Sequence, residues 1–325
     1  GGDSLPFRLR NMATPKAPDA NPKRVLVTGA TGLIGLPLCN ALIGRGDEVV
    51  GLSRNAEKAA QAQPKAEWHT WEPTMERPPD AALEGIDAII NLAGEPVNQR
   101  WNDEVKDKIA RSRIKATKNL VQAVKTMDTP PSTFISGSAI GYYGNRGDEL
   151  LYEDAEPGND FLAGVVKDWE AAAKPVASDS TRLVVLRTGH VLDFSGGLLG
   201  ELLTPFKLGV GGPIGSGKQY MSWIHRNDEI GIIQWALDNE KVDGIYNSTA
   251  PNPVTNKEFA KQLGKAVSRP AVIPTPGFAL NLIRGSEMSQ VIREGQRVYP
   301  RKALDDGYEF KQPELAGALA NLLRK

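Results

Sequence analysis

Three glycines, Gly29, Gly32 and Gly35, stand three residues apart where an apolar run ends, in Arg24-Val-Leu-Val-Thr-Gly-Ala-Thr-Gly-Leu-Ile-Gly35. The run Val25-Leu26-Val27 reads as a strand buried on both faces of a parallel sheet. A glycine at the end of such a strand takes a turn conformation that a Cβ forbids. The next lets backbone approach a pyrophosphate, and the third lets the following helix pack against the strand. That helix, residues 33–44, turns its unpaired N–H groups and the positive end of its dipole toward the phosphates. The backbone of Gly29, Thr31, Gly32, Leu33, Ile34 and Gly35 is therefore expected to cradle a dinucleotide, and the second strand, Glu48-Val-Val-Gly-Leu52, completes the βαβ setting. At the end of that strand an NAD site places an acid for the ribose 2′-OH, whereas this chain has Ser53 and Arg54. A hydroxyl and a guanidinium suit a 2′-phosphate, which arginine grips through paired charge-assisted bonds, so NADP(H) is favoured over NAD(H).

The elements that must hold this cradle continue as alternating strands and helices. Ala88-Ile-Ile-Asn-Leu-Ala-Gly94, Ser132-Thr-Phe-Ile-Ser-Gly-Ser138 and Leu183-Val-Val-Leu-Arg187 read as the fourth, fifth and sixth strands, with a charged helix over residues 103–127 between the fourth and fifth. Alternation of this kind gives an α/β class protein with a Rossmann-type, doubly wound parallel sheet, whose ligand crevice opens at the carboxyl ends of the strands. From Gly189 glycine and proline become frequent, and Gly244-Ile-Tyr-Asn-Ser248 then revisits the sheet. The expected organisation is a flexible extension over residues 1–22, a cofactor domain over 23–188 plus 225–250, and a smaller, discontinuous substrate domain over 189–224 plus 251–325 that ends in helices. The glycine loop Gly209-Val-Gly-Gly-Pro-Ile-Gly-Ser-Gly217 lacks the phosphate-loop spacing and precedes no clear helix, so it reads as a wall over a small polar substrate.

The G-x-x-G-x-x-G spacing resembles that of the extended short-chain dehydrogenase/reductases. From residue 23 to its end the chain is similar to the atypical epimerase-family proteins of that group, in Asn91-Leu-Ala-Gly94, Arg100-Trp101, Ser112-Arg-Ile114, Gly141-Tyr-Tyr-Gly144, Trp169-Glu170, Gly211-Gly-Pro-Ile-Gly-Ser-Gly217, Ser222-Trp-Ile-His225 and Gly295-Gln-Arg-Val298. The resemblance implies NADP(H) contacts from Ser53, Arg54, Leu92, Ala93, Gly94, Arg113, Ser136 and Val191. It also implies a catalytic set built from a serine ending the fifth strand and Tyr-x-x-x-Lys on the next helix. Ser138 stands at the first position and Lys167 at the last, where it would also hold the nicotinamide ribose, but the tyrosine position is Ala163. A methyl group donates no proton. Tyr143 is the expected substitute, with Tyr142 beside it and His190 and His225 as further candidates.

Composition bounds the remaining classes. Across 325 residues Lys plus Arg and Asp plus Glu both number 39, so no net field draws the chain to nucleic acid or to an anionic membrane. One cysteine and three scattered histidines argue against disulfides and against a metal site. No apolar run reaches the length of about 20 residues that spans a bilayer, and no secretory leader is recognised. The expectation is a cytoplasmic protein, or one from another reducing soluble compartment such as an organelle stroma, monomeric or homodimeric, with an unidentified small-molecule substrate. Its activity is expected to be that of an NADP(H)-binding oxidoreductase or nucleotide-sugar-epimerase-like enzyme; the alternative is a non-catalytic NADP(H)-binding redox sensor or regulator.

Overall fold

The strand β1 (Arg24–Thr28) lies inside a seven-stranded parallel sheet in the computed structural model, which describes residues 21–324. Its companions are β2 (Glu48–Ser53), β3 (Glu67–Thr70), β4 (Ala88–Asn91), β5 (Thr133–Ala139), β6 (Arg182–Thr188) and β7 (Gly244–Ser248), in the order β7-β6-β5-β4-β1-β2-β3. Val25 pairs with Val49 of β2 on one side and Ala88 of β4 on the other. The chain winds outward in both directions from β1, so the connections leaving β1 and β4 part and open a crevice at the carboxyl edge. Most of the expected N-terminal extension, residues 1–20, falls outside the described residues.

Alternation along β1 explains the two layers. Val25 and Val27 pack with α1 (Gly35–Gly44), while Leu26 points into the opposite layer with α2 (Asp103–Lys125), where Leu120 and Val124 cover it. α3 (Phe161–Ala173) joins α2 on that face. Side-chain caps fix where α2 and α3 begin: Asn102 accepts from Val105 N at 2.8 Å, and Asp160 accepts from Ala163 N at 2.8 Å. A further core gathers Leu192, Leu203, Phe206 and Trp223 with Phe259, Leu263, Leu315 and Leu319. Its residues come from chain on both sides of β7, including α4 (Gly197–Lys207). Among the described residues no helix is long and apolar enough to cross a membrane.

At the carboxyl edge a buried acid ties the last two strands to α5 (Arg226–Asp238). Glu229 accepts from Thr188 Oγ1 of β6 at 3.0 Å and from Ser248 Oγ of β7 at 2.5 Å. Burial raises its pKa from 4.5 to about 7 against those two hydrogen bonds. The folded state thus holds a proton that the unfolded chain has already released between those pH values. The stability from this group is complete below the unfolded pKa and is lost as pH rises through about 7. Chemical denaturation from pH 4.5 to 8 is expected to show this decline, of up to about 3 kcal/mol, and Glu229→Gln is expected to flatten it. A second prediction concerns the turn. A Cβ on Gly35 would lie 2.0 Å from Gly29 O, whereas one on Gly44 meets nothing within 4 Å. Gly35→Ala is expected to destabilise by about 3 kcal/mol or more, and Gly44→Ala to stabilise by up to about 1 kcal/mol, both read from denaturant midpoints.

Candidate functional site

The turn after β1 is built by contact as much as by conformation. Gly29 has φ +61°, and a Cβ there would lie 2.7 Å from Leu92 O. The loop after β4 can therefore close directly on the turn. Thr28 holds the two together: its hydroxyl donates to Asn91 Oδ1 at 2.7 Å and accepts from Leu92 N at 3.0 Å and Ala93 N at 3.2 Å. Asn91 Nδ2 passes the chain of hydrogen bonds to Thr117 Oγ1 of α2. Each of these polar groups is buried or half-buried and satisfied, so the floor of the crevice is rigid.

A cleft of about 920 Å³ runs from this floor over β2 and β3, lined by Gly29, Thr31, Gly32, Ser53, Arg54, Leu92, Ala93 and Gly94 among the residues expected from sequence. Ser53 Oγ is held in the turn by Asn55, which donates its N–H to it at 3.1 Å. Arg54 is exposed at the rim and makes no hydrogen bond or ion pair among the described residues. Arg113 lies beneath the loop that follows β4. It donates to Glu95 O at 2.8 Å and to Ile109 O at 3.2 Å, over the Trp169 ring at 5.4 Å, and burial brings its pKa down to about 10, which leaves it a cation. Leu33 packs against Gly196 and Gly197, which brings the turn beside Val191, whose carbonyl faces Gly197.

Of the expected proton-transfer set, Ser138 and Tyr143 are joined through Glu170 and Arg187, and Lys167 takes no part in that network. Lys167 lies on the exposed face of α3 with Gly164, Asp168 and Ala171, and no hydrogen bond or ion pair engages it among the described residues. The face of α3 turned to the end of β5 is Leu162, Val166 and Glu170: a Cβ on Gly141 would meet Leu162 Cβ at 3.7 Å and Val166 Cγ2 at 4.0 Å, and Glu170 bonds Ser138. The positions of α3 that pack on the turn after β5 are thus Leu162 and Val166, one residue earlier than Ala163 and Lys167, and both are aliphatic.

Tyr143 is also corrected. It is 0% exposed, its hydroxyl donates to Asn247 Oδ1 at 2.6 Å and accepts from Arg187 Nη1 at 3.1 Å, and burial pushes its pKa up to about 12. A phenol so enclosed holds its proton and meets no solvent. Ser138 is buried too and donates to Glu170 Oε2 at 2.5 Å. Glu170 in turn receives Arg187 through Nε at 2.8 Å and Nη2 at 2.9 Å, and Tyr142 lies flat against the guanidinium at 3.5 Å. Ser136 is buried within β5, its hydroxyl turned to Gly137 O, so the cleft does not reach it. His225 accepts from Asn227 N through Nδ1 and contacts Asn321 through Nε2, which makes it the cap of α5.

Other cleft residues were not singled out from sequence. Glu104, Lys108, Arg111 and Ser112 form one stripe of α2 along the cleft wall, and Trp71, Pro73 and Met75 form the wall beyond β3. The spacing of the α2 residues at i, i+4, i+7 and i+8 was the available signal; their charges looked like an ordinary solvated face. Nothing in the short strand β3 announced the second wall.

The sequence pattern of the NAD dependent epimerase/dehydratase family matches residues 25–248, and a domain of unknown function, DUF1731, matches residues 275–322. The chain is 40% identical over 306 residues to the Bos taurus epimerase family protein SDR39U1, covering 92% of this chain and 99% of the bovine one. It is 36% identical over 301 residues to the Bacillus subtilis epimerase family protein YfhF, covering 92% and 97%. The crystal structure of human epimerase family protein SDR39U1 (isoform 2) with NADPH is similar with a TM-score of 0.83 at 38% identity, over 92% of this chain and 98% of the human one. Glycine turn, sheet order and these likenesses along the chain agree: it belongs to the NAD dependent epimerase/dehydratase family, among the epimerase family proteins of the SDR39U1 kind.

Proposed function

We propose that this protein binds NADP(H) and acts as an epimerase-like or oxidoreductase enzyme on a small polar substrate. The observation that carries the cofactor is Arg54, an exposed guanidinium without a partner among the described residues, at the rim of a cleft whose floor is the Gly29–Gly35 turn. A 2′-phosphate satisfies that cation, and the NADPH present in the human relative's crystal structure supports the same choice. The amides of the turn would hold the pyrophosphate, Leu92 and Ala93 would line the middle of the cofactor, and Arg113 would bring its remaining guanidinium N–H groups to it. When bound, the cofactor supplies or accepts a hydride.

A second reading, that the protein reports or transmits the NADP(H) state without turnover, is favoured by the enclosure of Tyr143 and the bond of Ser138 to Glu170, which commit both hydroxyls inside the protein. Absorbance of NADPH with a panel of aldehydes and ketones, together with chromatography of nucleotide sugars incubated with the NADP+-loaded protein, separates the two, because an epimerase returns its hydride and leaves no net absorbance change. Oxidation or epimer formation with any member supports the enzyme, and tight binding with neither supports the second reading.

The cofactor assignment is tested by Arg54→Ala. Loss of a charged hydrogen-bonding partner worth about 1.5–3 kcal/mol is expected to weaken NADPH roughly tenfold to a hundredfold. NADH affinity should be nearly unchanged in the same tryptophan-fluorescence titrations. Equal NADPH affinity in wild type and variant would sink the assignment. Tyr143→Phe is expected to behave as a core lesion: about 1–3 kcal/mol lost from unfolding free energy, because Asn247 and Arg187 lose a buried partner, with NADPH affinity unaltered.

A further inference from the structure

His190 begins a short strand, His190–Leu192, that runs out of the carboxyl end of β6 and pairs in parallel with Trp223–His225. Its backbone N–H donates to Ser222 O at 2.8 Å, so the main chain is fixed. Successive residues of the strand face opposite sides. Val191 packs toward the sheet core, while Leu192 enters the core shared with Trp223 and Phe259. His190 shares the side of Leu192, yet it is exposed, and among the described residues no hydrogen bond or ion pair engages its ring. The surrounding protein nonetheless lowers its pKa, with burial as the sole cause. The ring thus keeps accessible surface at the carboxyl edge of the sheet, where the chain leaves β6. His225, two hydrogen bonds deep and buried, is the contrasting case.

The strand that carries this ring lies beside the turn after β1. Leu33 lies against Gly196 and Gly197, where added Cβ atoms would meet it at 3.2 and 3.0 Å, and Gly197 faces Val191 O. A dinucleotide bound across the strand-order reversal places its adenosine toward β2 and its other half toward β4, β5 and β6. Arg54 marks the adenosine end, so the end of β6 marks the reacting end. We propose that His190 faces the reacting end of the cofactor cleft and is the side chain that a hydroxyl or carbonyl group of a small polar substrate meets there. The inference rests on the NADP(H) reading above. No carboxylate or cation perturbs this imidazole, so at neutral pH it offers one N–H donor and one bare nitrogen acceptor, the pair that a hydroxyl or a carbonyl can use and that can hold or accept a proton.

The chain has three histidines, so carbethoxylation by diethyl pyrocarbonate can be followed at each by mass spectrometry of the intact wild-type protein's peptides. His190 is expected to react in the free protein, His225 to resist, and His69, which leans on Glu67 at 3.2 Å, to serve as an internal reference. Saturating NADPH is expected to slow His190 at least fivefold. Adenosine 2′,5′-bisphosphate, the phosphate-bearing half alone, is expected to slow it less than twofold. An unreactive His190 in the free protein overturns the inference, as does equal protection by both ligands. NADPH that binds, by fluorescence, and leaves His190 reactive overturns this inference alone. NADPH that fails to bind overturns the cofactor reading and this inference with it.

Discussion

The distance between α1 and the turn that precedes it governs the rest of the molecule. With a Cβ on Gly35 only 2.0 Å from Gly29 O, the helix can start where it does only because that side chain is absent. The close approach turns the first free amides of α1 into the crevice, and the bare Cα of Gly29 lets the loop after β4 lie on the same turn. Thr28, Asn91 and Thr117 then connect turn, loop and α2 through buried hydrogen bonds. Displacement of α1 by one methyl group would therefore disturb the phosphate cradle and, through Leu33, the contact with Gly196 and Gly197 where the second core begins.

The end of β5 obeys a different constraint. Ser138, Glu170, Arg187, Tyr143 and Asn247 form one hydrogen-bonded chain inside the protein, and Glu153 extends it by accepting from Asn247 N and contributing its carbonyl to Arg187. Burying an ion pair is costly unless all its hydrogen-bonding capacity is used. Here Glu170 receives two arginine N–H bonds and a serine hydroxyl, and Arg187 also reaches a phenol and a carbonyl. The network is thereby a clamp between β5, β6, β7 and α3, and its groups are committed to one another.

Much of this was legible in the sequence, for identifiable reasons. The βαβ unit announces itself because backbone geometry demands glycine at fixed positions, and Ser53 with Arg54 follows because a parallel strand's end is a fixed distance from the turn. β6 was readable as an apolar run of strand length, and β7 as the short Gly244-Ile-Tyr-Asn-Ser248 segment that returns to the sheet. The partners of a side chain were not. Tyr143 sits on a loop beside the site in sequence, but whether its hydroxyl faces solvent or Asn247 depends on a strand 104 residues later. The register of α3 fails for a related reason: one residue rotates a helix position by about 100°, and only packing decides whether Ala163 or Leu162 looks at β5. The α2 stripe that walls the cleft was hidden because a charged face directed at a ligand and one directed at water have the same composition.

These two constraints divide the labour of the crevice. A Rossmann turn binds by backbone, so it survives changes of side chain elsewhere and says little about the reaction. Acid–base chemistry needs a group with an unfilled hydrogen-bonding position at a solvent-reachable surface. On the β5 and α3 side Leu162 and Val166 are aliphatic, Tyr143 is enclosed and Ser138 is spent on Glu170, while the hydroxyl of the half-buried Tyr142 makes no hydrogen bond among the described residues. Where the chain leaves β6 for the second core, His190 likewise keeps its ring uncommitted among the described residues.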